Sequence, residues 1–246
     1  MANYNILFSP TGGTKKCADL LASHLGSGWQ EVDISLPFSA PQLKDGDLCI
    51  VAIPSFGGRV PPLAAERLNT IQGNGAKAIL VCVYGNRAYE DTLVELQDIL
   101  EGNGFSCVAA ACLLAEHSIM HAFAAGRPDM EDQQIIAGYA ASIAKKLASG
   151  ESSLAVPGNR PYKEYRVIPM TPVTEDSCTD CGICEKLCPA GAIEVHEIDP
   201  SKCFGCMRCT AVCPIGAKHT DPEKLAGLVE RLKNGLAGRK ENELFL

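Results

Sequence analysis

At 246 residues, with 46% hydrophobic and 21% charged side chains, the chain is long enough for one medium domain plus a smaller one and has an ordinary globular composition. Its formal net charge of -7 is spread as 10 basic against 15 acidic side chains in residues 1–149 and 12 against 14 thereafter, which offers no basic run for nucleic acid or anionic lipid. No apolar run approaches bilayer length and the N-terminal MANYNILFSPTGG reaches a proline too soon for a signal sequence, so a cytoplasmic location with no membrane partner is expected.

The first apolar run, residues 4–8, reads as a buried strand and empties directly into SPTGGT at residues 9–14. Cys17, Leu21 and Leu25 then share one face of a helical pattern, so the unit is strand, loop, helix. The loop has the ingredients of a phosphate site. Gly12 and Gly13 let backbone N–H groups turn inward, Ser9, Thr11 and Thr14 add hydroxyls, and the helix beginning near Thr14 offers its positive end. A nucleoside triphosphate loop is excluded, because its GxxxxGK signature is absent and Lys15 stands in the wrong place. Such a turn also serves as a plain capped helix start.

Strand patterns follow at residues 29–34, 48–53, 78–83 and 107–114, and helical ones at 63–71, 89–100 and 131–147. Buried strands alternating with helices imply a parallel sheet covered on both faces. In such a sheet ligands bind beyond the carboxyl ends of the strands. Three loops fall there: SPTGGT, PSFGGRVPP from Pro54, and YGNRAYED from Tyr84.

These loops resemble those of the flavodoxin family, and the resemblance covers residues 1–149. It implies an α/β, flavodoxin-like, doubly wound five-stranded parallel sheet in the order 2-1-3-4-5, binding FMN. SPTGGT matches the family's phosphate loop, which would place Ser9, Thr11, Gly12, Gly13 and Thr14 around the FMN monophosphate. The resemblance further assigns Pro54, Ser55, Phe56 and Gly57 in the second loop, and Gly85, Asn86, Arg87 and Tyr89 in the third, with Phe56 and Tyr89 sandwiching the isoalloxazine ring. Read without the phosphate loop, Phe56 and Tyr89 would simply pack the rim of the sheet. Flavodoxins commonly have an acidic residue where this chain has Asn86 followed by Arg87, so the negative collar that repels an anionic reduced flavin is expected to be weaker here.

Beyond the fifth strand, AEHSIMHAFAAGRPDM carries no strand or helix pattern and lies at the same sheet edge. His117, His121 and Arg127 are candidates to touch the ring, a substrate or the remainder of the chain, although lone loop histidines are usually surface or packing residues. Residues 150–172 contain four prolines and read as an extended linker able to drape over one domain.

The last third holds CTDCGICEKLCP from Cys178 and CFGCMRCTAVCP from Cys203, an offset of 25 residues. Three cysteines at CxxCxxC spacing and a fourth followed by proline, twice over, fit two 4Fe-4S clusters. Three thiolates wrap one cube while the fourth, aimed away by the proline, reaches the other. One cluster should use Cys178, Cys181, Cys184 and Cys213, and the other Cys203, Cys206, Cys209 and Cys188. A zinc site pairs two CxxC knuckles and is a poorer match, and a disulfide framework is poorer still. Cys17, Cys49, Cys82, Cys107 and Cys112 sit in apolar stretches as small hydrophobes. His196 and His219 flank the motifs without evident part in ligation. Residues 221–236 form an amphipathic helical pattern, and the final KENELFL reads as frayed or packed through Phe245.

The cysteine module, residues 173–246, resembles a bacterial-type ferredoxin, a small α+β domain, and the whole chain is similar to flavodoxin/ferredoxin fusion proteins of anaerobes. The resemblance implies an electron carrier that passes electrons between two 4Fe-4S clusters and FMN, with redox proteins as partners. An alternative is a flavin-dependent reductase whose FMN meets a small-molecule substrate, contacted by His117, Arg127 and Arg59. A third is a first domain used for docking alone, without FMN. No GxGxxG supports a nicotinamide site.

Overall fold

A computed structural model describes residues 1–168 and 170–246. The N-terminal part alternates as expected: β1 (Asn3–Leu7), α1 (Gly13–Leu25), β2 (Trp29–Asp33), β3 (Leu48–Pro54), α2 (Pro62–Leu68), β4 (Lys77–Tyr84), α3 (Thr92–Gly102), β5 (Ser106–Leu114) and α4 (Met130–Ser149). Every pairing among these strands is parallel and their order is 2-1-3-4-5, the flavodoxin-like arrangement. The sequences LCIVAIP, KAILVCVY and SCVAAACLL are apolar almost throughout because both faces of these strands are covered. Alternate residues feed two cores. Val51, Ile53 and Leu80 face Leu68, Leu93 and Leu96 of α2 and α3, whereas Ile50, Ile79 and Ala111 face Leu21 of α1 and Ile136 and Ile143 of α4. Leu21 is fully buried, so truncating it to alanine would cost roughly 2–5 kcal/mol.

The C-terminal part is a small domain carrying the cysteines. It consists of β6 (Val173–Thr174), α5 (Ile183–Lys186), β7 (Ile193–Glu194), β8 (Glu197–Ile198), α6 (Arg208–Val212), β9 (Lys218–His219) and α7 (Pro222–Leu236). β6 pairs with β9 and β7 with β8, both antiparallel. Asp221 caps α7 through the N–H groups of Glu223 and Lys224. A third core joins the regions: Leu228 and Leu236 of α7 pack with Ile119 and Met120 from the loop after β5, Met170 before β6, and Met207.

Of the two expectations for KENELFL, a frayed end or packing through Phe245, the structure shows the second. The final residues form β10 (Glu243–Phe245), a sixth strand that runs antiparallel along the free edge of β5. Leu244 joins one core and Phe245 the other, which gives the strand its period of two. Side chains fix the approach. Asn242 accepts from the Leu114 N–H at 2.9 Å and donates to the fully buried Asp132 at 2.7 Å. Arg127 donates to Asp132 and to the Lys240 carbonyl, and Tyr139 donates to the Asn242 carbonyl. No helix among the described residues is long and apolar enough to cross a membrane.

Candidate functional site

The carboxyl ends of β1, β3, β4 and β5 open onto a cavity of about 710 Å³, a size typical of cofactor sites. The first loop contributes Thr11, Gly13 and Thr14, the second Pro54, Ser55, Phe56 and Gly57, and the third Gly85 and Arg87. The fit to a phosphate-bearing ligand can be judged from the start of α1. Gly12, at φ 91°, provides no side-chain cap, and no carboxylate stands in the first turn, so the positive helix end is open to an anion. Gly85 is required by close approach: a Cβ there would lie 2.7 Å from the Cα of His117. These residues suit a phosphate-bearing ligand.

Four expected contacts lie elsewhere. Ser9 and Gly12 do not line the cavity; the Ser9 hydroxyl accepts from the Lys15 N–H at 2.9 Å and shapes the turn. Asn86 is buried and holds the tail, donating to the carbonyls of Leu236 and Gly238 at 2.7 and 2.8 Å and accepting from the Lys240 N–H. Tyr89, expected to stack on the flavin, instead packs edge-on against Tyr84 at 5.4 Å and donates to Glu243 of β10. The reason is β10 itself: once that strand lies along β5, the third loop turns its polar side toward the tail.

The aromatic facing Phe56 comes from the cysteine domain. Phe204 lies 6.2 Å from Phe56 and 6.3 Å from Phe8 by ring centroids, and with Gly205 it lines the cavity. Tyr165 and neighbouring residues 163–168 form another wall, and Leu228, Arg231 and Leu232 of α7 complete it. The segment before β6 is extended and crosses α3, as its prolines imply. Asp91 accepts from the N–H groups of Asn159 and Lys163, and Asp98 pairs with Arg160.

Of the candidate polar contacts, His117 lines the cavity but His121, Arg127 and Arg59 do not. Arg127 is buried on Asp132, His121 pairs with Glu116, and Arg59 grips Glu95 in a bidentate pair while lying 4.8 Å over the Tyr162 ring. Nδ1 of His117 accepts from the N–H groups of Ile119 and Met120 at 3.1 and 3.2 Å, so the proton of the neutral ring resides on Nε2. Burial first, then the charges of His121 and Arg87, push its pKa down to about 4, which keeps the ring neutral at physiological pH.

The cysteines form two sets. Cys178, Cys181, Cys184 and Cys213 together line a second cavity, of about 340 Å³, with Ile183, Val195, Ile215 and Lys218. His196 also lines it, closer to the motif than its sequence position implied, and is paired with Asp180 at 2.8 Å. Burial alone would raise the Cys213 thiol, but the N–H groups of Ile215, Lys218, Ala217 and Gly216 outweigh it and hold the thiol below its ordinary value. Cys188, Cys203, Cys206 and Cys209 lie close enough to repel one another as thiolates. Burial, reinforced by that repulsion, pushes Cys206 up to about 12 and Cys209 up to about 11. Four cysteine thiols brought together are the donor set that an iron–sulfur cluster takes. Among the described residues no three His, Cys, Asp or Glu converge on a single metal ion.

Residues 176–222 match the family model of the LdpA Fe-S cluster-binding domain. This stretch contains all eight motif cysteines. The sheet region is similar to a flavodoxin from Streptococcus pneumonia TIGR4, at 18% identity and TM-score 0.42, over 61% of this chain and 100% of that one. It is similar as well to a flavodoxin from the domain Archaea (15%, TM-score 0.45, 60% and 99%). The NAD(P)H:quinone oxidoreductase of Methanothermobacter marburgensis also matches, at 13% identity and TM-score 0.36, over 60% and 96% of the two chains. No curated protein matches the sequence. A flavodoxin-like fold joined to an iron–sulfur-binding domain supports a redox, electron-transfer role.

Phe204 and Arg208 escaped the sequence reading. Both lie inside a cysteine motif, where the spacing speaks only for ligation. Nothing local signals that their side chains reach the N-terminal loops.

Proposed function

We propose that the protein relays electrons between two 4Fe-4S clusters and a bound FMN, and exchanges them with redox protein partners in the cytoplasm. The observation that carries this reading is the position of Phe204 and Gly205. They are flanked by Cys203 and Cys206 in sequence, yet line the same cavity as Thr11, Thr14 and Phe56. The set Cys188, Cys203, Cys206 and Cys209 would hold the inner cluster, directly against the flavin cavity. The set Cys178, Cys181, Cys184 and Cys213 would hold the outer one, where Cys181 is exposed and Val195 and Ile215 stand 70% and 50% open to solvent. Exposed apolar side chains around a redox centre fit a docking face better than a sealed interior.

Bound FMN supplies a centre that holds one or two electrons, where a 4Fe-4S cluster passes one at a time. The chain's own residues position it. Thr11, Gly13, Thr14 and the start of α1 would bind the phosphate, and Phe56 and Phe204 would flank the ring. Residues 163–168 and α7 would keep bulk water from the cavity. Anaerobic purification with cofactor analysis tests the scheme. About eight irons and one FMN per chain are expected; four irons, or no flavin, would break it.

His117 favours a second reading, a reductase in which the flavin acts on a small molecule. His117 lines the cavity, its neutral ring carries the proton on Nε2, and such a ring could donate to a substrate. Saturable reoxidation of the reduced holoprotein by a small oxidant, with no partner protein present, would select this reading over the relay.

A further inference from the structure

The two halves of the cysteine repeat superimpose residue by residue, and one buried position breaks the match. The offset of 25 residues carries Cys188 onto Cys213 and Ile193 onto Lys218. Both Ile193 and Lys218 are buried, the lysine to 2% exposure. Their strand partners differ in the same sense: Ile193 of β7 stands opposite Ile198, whereas Lys218 of β9 stands opposite Thr174. Nζ of Lys218 donates to the Thr174 hydroxyl and to the carbonyl of His196. An apolar pair in one half is thus a lysine and its anchor in the other.

Burying an ammonium group among neutral acceptors is costly, and a nearby negative charge offsets the cost. Lys15, Lys163, Lys202, Lys224 and Lys233 each pair with a carboxylate, but Lys218 pairs with none among the described residues. It lines the outer cavity together with Cys178, Cys181, Cys184 and Cys213. Burial raises the Cys184 thiol, and Lys218 is the first charge to oppose that rise. The field of Lys218 also reaches Cys209 of the inner set, behind burial and repulsion by Cys203. The other charged side chains around the outer cavity, Glu185 and the pair of Asp180 with His196, stand open to solvent and are screened by it.

We propose that Lys218 sets the order of the two cluster potentials, raising that of the outer set above that of the inner one, so that the first electron rests at the outer face. This rests on the two-cluster reading above. Four thiolates make each loaded site a net anion, and reduction adds one further negative charge. A buried ammonium group stabilises the reduced form more than the oxidised one, and the low dielectric around it preserves the difference. Ile193, at the equivalent place after Cys188, offers no charge to the inner set. The inner set is then a stepping stone, and the outer set is the reservoir from which a partner is served.

The test is a redox titration of the full-length, cluster-loaded protein followed by electron paramagnetic resonance, with iron content measured in each variant. Wild type should reduce in two separate steps, and C181S, which removes the outer cluster, should lose the step that occurs at the higher potential. K218M should weaken the hold of the outer set on its electron by about tenfold, or about 59 mV for a one-electron couple. The inner step should move less and the iron should be unchanged. K218R, which keeps the charge, should keep most of the separation. Loss of the lower step in C181S would overturn the proposal whatever the lysine variants do. An unmoved outer step in K218M, or equal movement of both steps, would overturn it as well, and so would loss of iron in K218M, which would mark a purely structural lysine. A wild type that shows only one cluster would instead overturn the two-cluster reading, and this inference with it.

Discussion

The two cysteine sets arise from one repeated motif and differ in what they pack against, with Cys181 exposed in one and Cys209 buried in the other. Cys178, Cys181, Cys184 and Cys213 line a cavity open toward solvent, rimmed by Ile183, Val195 and Ile215, with the buried Lys218 as its cation. Cys188, Cys203, Cys206 and Cys209 sit deeper, against Phe204 and the large cavity at the sheet edge. N–H groups outweigh burial only at Cys213 of the outer set; burial dominates at Cys184 there and at Cys203, Cys206 and Cys209 of the inner set. A motif therefore fixes ligand chemistry but not role. Role follows from what the second half of each motif packs against.

The sharpest way to break this contrast is to remove one set at a time. C206S should cut iron to about half and stop electrons supplied at the outer face from reaching the flavin, seen as loss of flavin bleaching in stopped-flow mixing with a reduced partner. C181S should also halve the iron and stop delivery from the outer face, yet leave the flavin spectrum unchanged, whereas C206S, next to the Phe204 and Gly205 that line the cavity, should shift it. Equal behaviour of the two variants in both assays would erase the distinction between inner and outer.

A smaller effect is expected where the tail anchors the sheet. N242A leaves the Leu114 N–H without its acceptor and Asp132 without one donor. The loss should be about 1–3 kcal/mol, and Tm should fall by roughly 2–4 °C for each of them. Iron at both sets should be retained, since neither set touches Asn242.

On the cavity side, His117 gives a pH signature. Its folded pKa of about 4 lies below the ordinary 6.5, so the unfolded chain takes up the proton first as pH falls. Stability is full above about pH 6.5 and declines toward pH 4, by at most about 1.4 kcal/mol per pH unit. The Tm of H117Q, measured from pH 7 to pH 5, should fall less steeply than that of wild type. Smallest of all is Y89F, which removes one exposed hydrogen bond to Glu243 and should leave the flavin spectrum unchanged, whereas F204A should shift it.

Much of this was readable from local pattern. The strand and helix periodicities of residues 1–149 specify the sheet, because each element has one or two apolar faces to bury. Cys178, Cys181, Cys184 and Cys213 line one cavity, as their motif spacing implied, and Thr11, Gly13 and Thr14, Pro54, Ser55, Phe56 and Gly57, and Gly85 with Arg87 line the other. Tyr89 and Asn86 lie off the cavity for one reason. Their loop was judged by its place at the sheet edge, while its partners, Glu243, Leu236 and Gly238, stand about 150 residues later in the chain. Phe204 and Arg208 were invisible on the same ground, as contacts across nearly two hundred residues leave no local trace.

The sixth strand has a mechanical consequence. The cluster-binding domain leaves the sheet along α3, where Asp91 grips it, and returns to the sheet as β10. A domain held at both ends cannot swing on a single hinge. Any opening between Phe56 and Phe204 would have to peel β10 from β5 or release Asp91, so two attachments rather than one restrain the inner thiols relative to the sheet-edge cavity.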